Sequence, residues 1–157
     1  MDTPQITQLA RNPYSLGLIV RYLSEHRPFA DYEFGATVNA LMFQIHHGTH
    51  LVATRNDAIV GYLGWLRVDA QNATDWQTGN GRLFAQPDGL AVAVTILVAD
   101  GPADISPMIR AAKRAEPGKA VYWKRHFTSG RAPHARAVVP RAGVPGAVLP
   151  ETAPVQP

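Results

Sequence analysis

The chain has 157 residues, 46% hydrophobic and 17% charged, with no cysteine and a formal net charge of +3. That length is one domain's worth and long enough to bury a core, while the missing thiols exclude disulfides, thiolate metal sites and a cysteine nucleophile. The sequence pI of about 9.5 reflects a basic excess too small to choose between nucleic acid and an acidic carrier protein as partner, and a solvated charged face is the plainer account.

The first fifteen residues contain an early acid and no long apolar run, so they do not read as a secretory signal. No window reaches the roughly 18 apolar residues of a membrane span, and a cytoplasmic protein is expected. Asn12-Pro13 reads as an N-cap followed by proline at the first helical position. Leu16, Ile19, Val20 and Leu23 then recur at helical spacing, and Pro28 predicts an end near Glu25. Phe34, Val38, Leu41, Met42 and Ile45 form the stripe of a second helix that Gly48 should stop.

His50 to Thr54 and Ala58 to Trp65 read as two strands turning at Asn56-Asp57. Asn72 to Asn80 reads as loop or a weak strand edge. Leu90 to Ala99 is the most apolar run, and its β-branched residues predict a strand buried on both faces. Asp100-Gly101-Pro102 breaks it. Ser106-Pro107 repeats the N-cap-plus-proline pattern and predicts a helix ending near Pro117-Gly118; Ala120 to Phe127 reads as a further strand. Six of the thirteen prolines lie from Arg131 onward, so residues 131–157 read as an extended or disordered tail behind a single domain, residues 1–130. The pattern alone supports a layered α/β or α+β domain.

Four places could carry chemistry. His26, in Ser24-Glu25-His26-Arg27-Pro28, lies where a helix end and Glu25 favour the imidazolium while Arg27 opposes it; by residue type alone an exposed loop histidine is the better account. His46, His47 and His50 have a spacing that invites a metal, but Gly48 should break the helix between them, and no metal site is expected. Gln86 to Ala91 matches a Q-x-x-G-x-A phosphate-binding pattern, yet it precedes an apolar run rather than opening a helix, so an ordinary turn is the better account. The loop from Asp100 to Ser106 enters a helix whose free N–H groups at Ile109 or Arg110 would face a phosphate, or which is simply capped. Trp65, Trp76, Tyr122 and Trp123 would line an acyl channel or fill a core. Lys124, Arg125 and His126 sit on alternating faces of one strand and make no nucleic-acid patch.

Five segments in order resemble the toxin-activating lysine acyltransferases, a fatty-acyl-transferring branch of the GNAT-like fold. They are His26-Arg27 before the second helix, Leu51 to Asp57 (LVATRND), a strand ending at Trp65, Asp75 to Asn80 against that family's D-W-x-S-G-D, and the buried strand breaking at Ala99 to Gly101. The similarity covers roughly residues 14 to 128. It implies a GNAT-like α/β (α+β) domain with a mixed, mostly antiparallel central sheet flanked by helices. It also implies transfer of a fatty acyl group from an acyl carrier protein thioester to a lysine ε-amino group of a protein or peptide, with no permanently bound cofactor. His26 falls on the family's catalytic histidine. The family's strand aspartate is missing around Thr95-Ile96-Leu97, which leaves Asp100 as the nearest acid to orient His26. Trp65, Ser106, Ile109 and Arg110 are the expected substrate-binding positions. The alternatives are an acyl-CoA-dependent N-acyltransferase on a small amine and a non-catalytic binding module of the same fold. Oligomeric state stays open, a homodimer included.

Overall fold

Asn12 and Pro13 open the first helix as the sequence predicts. In the computed structural model, which describes residues 3–125 and 134–139, the Asn12 side chain accepts from the Ser15 N–H at 2.9 Å, and α1 runs Pro13–Ser24. A short 3-10 turn, Phe29–Asp31, leads into α2, Phe34–His47. Gly48 ends α2 at φ 64°, a backbone region where a side chain is strained. The buried face of α2 is Leu41, Gln44 and Ile45. Two members of the expected stripe are exposed: Phe34 stands in the first turn, and Met42 lies about 100° round the helix from Leu41.

Strands β1 (Gln5–Thr7), β2 (His50–Arg55), β3 (Ala58–Val68), β4 (Ala91–Ala99), β5 (Ala120–Arg125) and β6 (His134–Val138) form one sheet in that spatial order. Every pairing is antiparallel except β4 with β5. Asn56 and Asp57, both at positive φ, turn β2 into β3. Helix α4, Pro102–Ala115, makes the crossover between the parallel pair.

Three local readings change. Residues Ala70–Thr78 form helix α3 rather than loop or strand edge: Ala73 and Trp76 share a face that packs with Val68, Ala91 and Ala93, and this burial outweighs weak polar propensity. Helix α4 starts a turn earlier than Ser106-Pro107, because Gly101 is extended and Pro102 occupies the first helical position. Pro107 therefore lies inside the helix. From the region read as a tail, residues His134–Val138 are strand β6, paired to β5 from Val121↔Val138 to Arg125↔His134; residues 140–157, and Phe127 of the expected strand, lie outside the described residues.

The sheet is covered on both faces. Helices α1 and α2 pack Ile19, Leu23, Leu41 and Ile45 on Val52, Tyr62 and Ile96. Helix α4 packs Met108 on Ala53, Leu63, Trp65, Val92 and Val121. One irregularity in β4 organises the centre: Gly64 pairs Ile96 while Trp65 pairs Val94, so Thr95 is an extra, bulged residue. The bulge reverses the alternation of side chains. Val92 and Val94 face α4 before it, and Leu97 and Ala99 face α4 after it; Ile96 and Val98 face α1 and α2.

Thr95 is fixed by a buried polar chain. Tyr62 donates to Gln44 Oε1 at 2.7 Å, the Gln44 amide donates to Thr95 Oγ1 at 2.8 Å, and Thr95 donates to the Gly64 carbonyl at 3.3 Å. A Cβ at Gly64 would overlap the Gln44 amide and push it out of this hydrogen-bonded chain.

Candidate active site

Helix α1 delivers Tyr22 and His26 to the C-terminal end of β4. After the helix the chain makes one more turn, with the His26 N–H on the Leu23 carbonyl at 3.0 Å. This brings His26 Nδ1 within 2.7 Å of the Tyr22 carbonyl and Nε2 within 3.1 Å of Asp100 Oδ1. Asp100 directly follows β4, where the bulge has set its parity with Ile96 and Val98, so its side chain faces α1. The Tyr22 hydroxyl donates to the same Asp100 Oδ1 at 2.9 Å, and the Tyr22 and His26 rings lie 4.3 Å apart. The His26 and Asp100 side chains are 26% and 46% exposed, open enough to meet a ligand.

The partners fix the chemistry of the ring. A carbonyl accepts only, so Nδ1 carries the hydrogen; Nε2 then shows either a hydrogen or a lone pair beside the carboxylate. Burial and the bond to Asp100 push the Tyr22 hydroxyl well above the usual phenol range, so Tyr22 stays a donor.

The same end of β4 is open toward β5. Their parallel pairing runs only from Ala91↔Ala120 to Val94↔Trp123 and stops at the bulge. The Asp100 N–H bonds the Val60 carbonyl at 2.9 Å. By antiparallel alternation the Val98 and Ile96 backbone groups also face β3, and those of Leu97 and Ala99 face the β5 side. Next to this opening is an apolar cavity of about 40 Å³ against α4, whose lining includes Val94, Leu97, Ile109, Lys113 and Trp123.

The other expected site residues are dispersed. Trp65 is fully buried, and its indole donates to Glu116 at 3.0 Å; it does not line the cavity. Ser106, Ile109 and Arg110 lie along α4, not at its start. Their backbone N–H groups are inside the helix, which corrects the expected phosphate cradle there. Ser106 accepts from Arg110 at 3.1 Å on the surface, and Ile109 alone of the three reaches the cavity. The actual first turn of α4 contains Pro102, which has no N–H, and Asp104, 3% exposed and held by Arg55 at 2.7 Å. Of the four aromatics, Trp123 lines the cavity, whereas Trp76 and Tyr122 pack in the cluster under α3.

The histidine cluster separates. His50 is buried, its Nε2 accepting from the Leu9 N–H at 3.1 Å and its Nδ1 bonding the Gln44 carbonyl at 3.3 Å. His47 stacks on Phe43. No group of three potential ligands gathers among the described residues. Gln86 to Leu90 is a turn, with the Gly89 N–H on the Gln86 carbonyl at 2.9 Å.

Tyr22 and the Gln44–Thr95–Tyr62 chain went unread in the sequence. Tyr22 sits between Ile19 and Leu23 at core spacing, and only its position four residues before His26 hinted at contact.

No protein-family model matches the sequence, and no curated protein matches it significantly. Solved structures do. A GNAT-like decarboxylase, GphF, in complex with isobutyryl-CoA superposes with TM-score 0.57 at 20% identity, over 79% of this chain and 67% of that one. The chain has a GNAT-like fold. An agmatine N-acetyltransferase gives TM-score 0.57 at 12% identity, over 82% of this chain and 78% of that one. A Drosophila melanogaster polyamine N-acetyltransferase gives 0.56 at 11%, over 80% and 78%. Among the described residues, the mixed six-stranded sheet and the four helices agree with this GNAT-like fold. A decarboxylase and acetyltransferases share the architecture, so the reaction has to be argued from the site. No helix among the described residues is long and apolar enough to cross a membrane.

Proposed function

We propose that this protein is an N-acyltransferase that moves an acyl group from a thioester to an amine, with His26 as the proton acceptor. The pairing of His26 with Asp100 at the open end of β4 carries the reading. An unperturbed lysine-type amine, of pKa about 10.4, is almost wholly ammonium at neutral pH, so transfer needs a base within reach. His26 Nε2 is the nitrogen left for that task. The Ala99 N–H, facing the β5 side beside Asp100, is suited to the thioester oxyanion.

The donor we favour is an acyl-CoA, as bound by the GphF neighbour, and the acceptor a small amine, in keeping with the agmatine and polyamine enzymes. One observation favours a second donor. The first turn of α4 lacks the Pro102 N–H and holds the Asp104 carboxylate, so it is a poor cradle for the nucleotide pyrophosphate of CoA. An acyl group on a carrier protein, with a lysine of a protein or peptide as acceptor, makes less demand on that turn.

The test is a donor competition. Purified protein is given acetyl-, octanoyl- and palmitoyl-CoA and the same chains on acyl carrier protein, with agmatine and a lysine peptide as acceptors. Transfer followed by mass spectrometry should be present with at least one pair and fall by at least about 10²-fold in His26→Ala. Full activity in that variant would remove the proposal.

A further inference from the structure

We infer that Asp100 is the docking carboxylate for the acceptor's ammonium, not the group that orients His26, and that the acceptor is therefore a primary amine presented as a cation. The inference rests on the acyl-transfer reading and deepens it. In a histidine–carboxylate pair built for orientation, the carboxylate holds the nitrogen remote from the reaction. Here the Tyr22 carbonyl does so, at 2.7 Å from Nδ1. Asp100 instead stands 3.1 Å from Nε2, on the reacting side of the ring. In the free protein that contact is a hydrogen bond from a protonated Nε2 to Oδ1; once Nε2 has lost its hydrogen, ring and carboxylate each have a lone pair to offer a donor entering at the open end of β4.

A primary ammonium fits that notch. It brings three N–H donors and a positive charge, so one N–H bonds Nε2 and another bonds the carboxylate, with charge assistance. Oδ1 already accepts from the Tyr22 hydroxyl, which fixes the carboxylate and leaves Oδ2 for the ligand. The side chain of Asp100 is 46% exposed, so the ligand can reach it. An ester-forming alcohol offers one donor and no charge, and a quaternary ammonium offers charge without a donor.

The reaction balances. Nε2 takes one proton from the docked ammonium, and the amine nitrogen that results attacks the thioester carbonyl. The C–N bond forms and the C–S bond breaks, and the leaving thiolate takes the second amine proton. The imidazolium then returns its proton to water. The products are amide, thiol and one proton.

Steady-state kinetics on the best donor with agmatine and N-acetyl-lysine amide decide it. Asp100→Asn retains an oxygen for the Tyr22 and His26 contacts and removes the charge. Its KM for the amine should rise at least about tenfold, the size of a charge-assisted bond, with a smaller change in kcat. Asp100→Glu should recover part of that loss. On the native protein, hydroxyl analogues of the two acceptors should inhibit at least about tenfold more weakly than the amines bind, a measurement that needs no variant to fold. A kcat lost with KM unchanged in Asp100→Asn, or hydroxyl analogues binding as tightly as amines, overturns the ammonium role while leaving acyl transfer intact. Absence of transfer with every donor, or full activity in His26→Ala, instead overturns the acyl-transfer reading itself.

Discussion

Tyr22 touches the His26–Asp100 pair three times, through its carbonyl, its ring and its hydroxyl. Tyr22→Phe removes the hydroxyl alone. It should cost about 1 kcal/mol of stability by urea titration and slow turnover about fivefold, while the His26 contact to the carbonyl survives. His50 gives a second residue-scale expectation. Burial pushes its imidazole below the ordinary 6.5, so it folds neutral, accepting the Leu9 N–H. Below pH 6.5 the unfolded chain takes up a proton that the folded chain refuses until lower pH. Stability is therefore complete above 6.5 and declines as pH falls through the folded value. Melting temperature followed downward from pH 7.5 should show this decline, and His50→Gln should flatten it. His26 and Asp100 were singled out only through the family resemblance, since residue type alone makes His26 an ordinary loop histidine; the structure brings their side chains together at 3.1 Å. Tyr22 was not singled out, because an aromatic at helical spacing among Ile19 and Leu23 reads as core.

The helices show where sequence and structure part. Asn12-Pro13 and Gly48 set the limits of α1 and α2 by backbone chemistry that needs no tertiary partner, so both were readable. Helix α3 depends on Ala73 and Trp76 finding the sheet, which no local pattern announces. At α4 two proline pairs competed, and Gly101-Pro102 prevailed over Ser106-Pro107 because it lies next to the strand end. The C-terminal end of α4 is held by Glu116, 4% exposed, which accepts from Trp65, Arg67 and Lys119 at 3.0, 2.7 and 2.9 Å. Burial pushes its carboxyl up, but these donors and cations outweigh it and leave it below the ordinary 4.5. Its contribution is thus full above pH 4.5 and lost as pH falls through the lower folded value. Glu116→Gln should lower the unfolding free energy at pH 7, read by urea titration, by roughly 1–3 kcal/mol, with the gap from the native protein closing in acid.

Across the whole molecule, α1, α2, α4 and strands β2 to β5 were legible in their order, since alternation, β-branched runs and turn residues survive in any context, whereas β1, α3 and β6 were not, and the mixed sheet was expected only from the family resemblance. The bulge was not: Leu90 to Ala99 is apolar on both faces, so its letters give no clue that one residue is surplus. That surplus residue, Thr95, governs everything beyond it. Taking it into the ladder as a regular paired residue would rotate the remainder of β4 by half a turn. Ile96 and Val98 would then point at α4, Leu97 and Ala99 at α2, and Asp100 would be carried to the far side of the sheet from His26. Neither member of the pair would have been altered chemically, yet they would no longer meet. The acidic partner of the imidazole is thus set by a counting rule in the strand, and a homologous chain of the same length that lacks the bulge would need to supply the acid from the next position along.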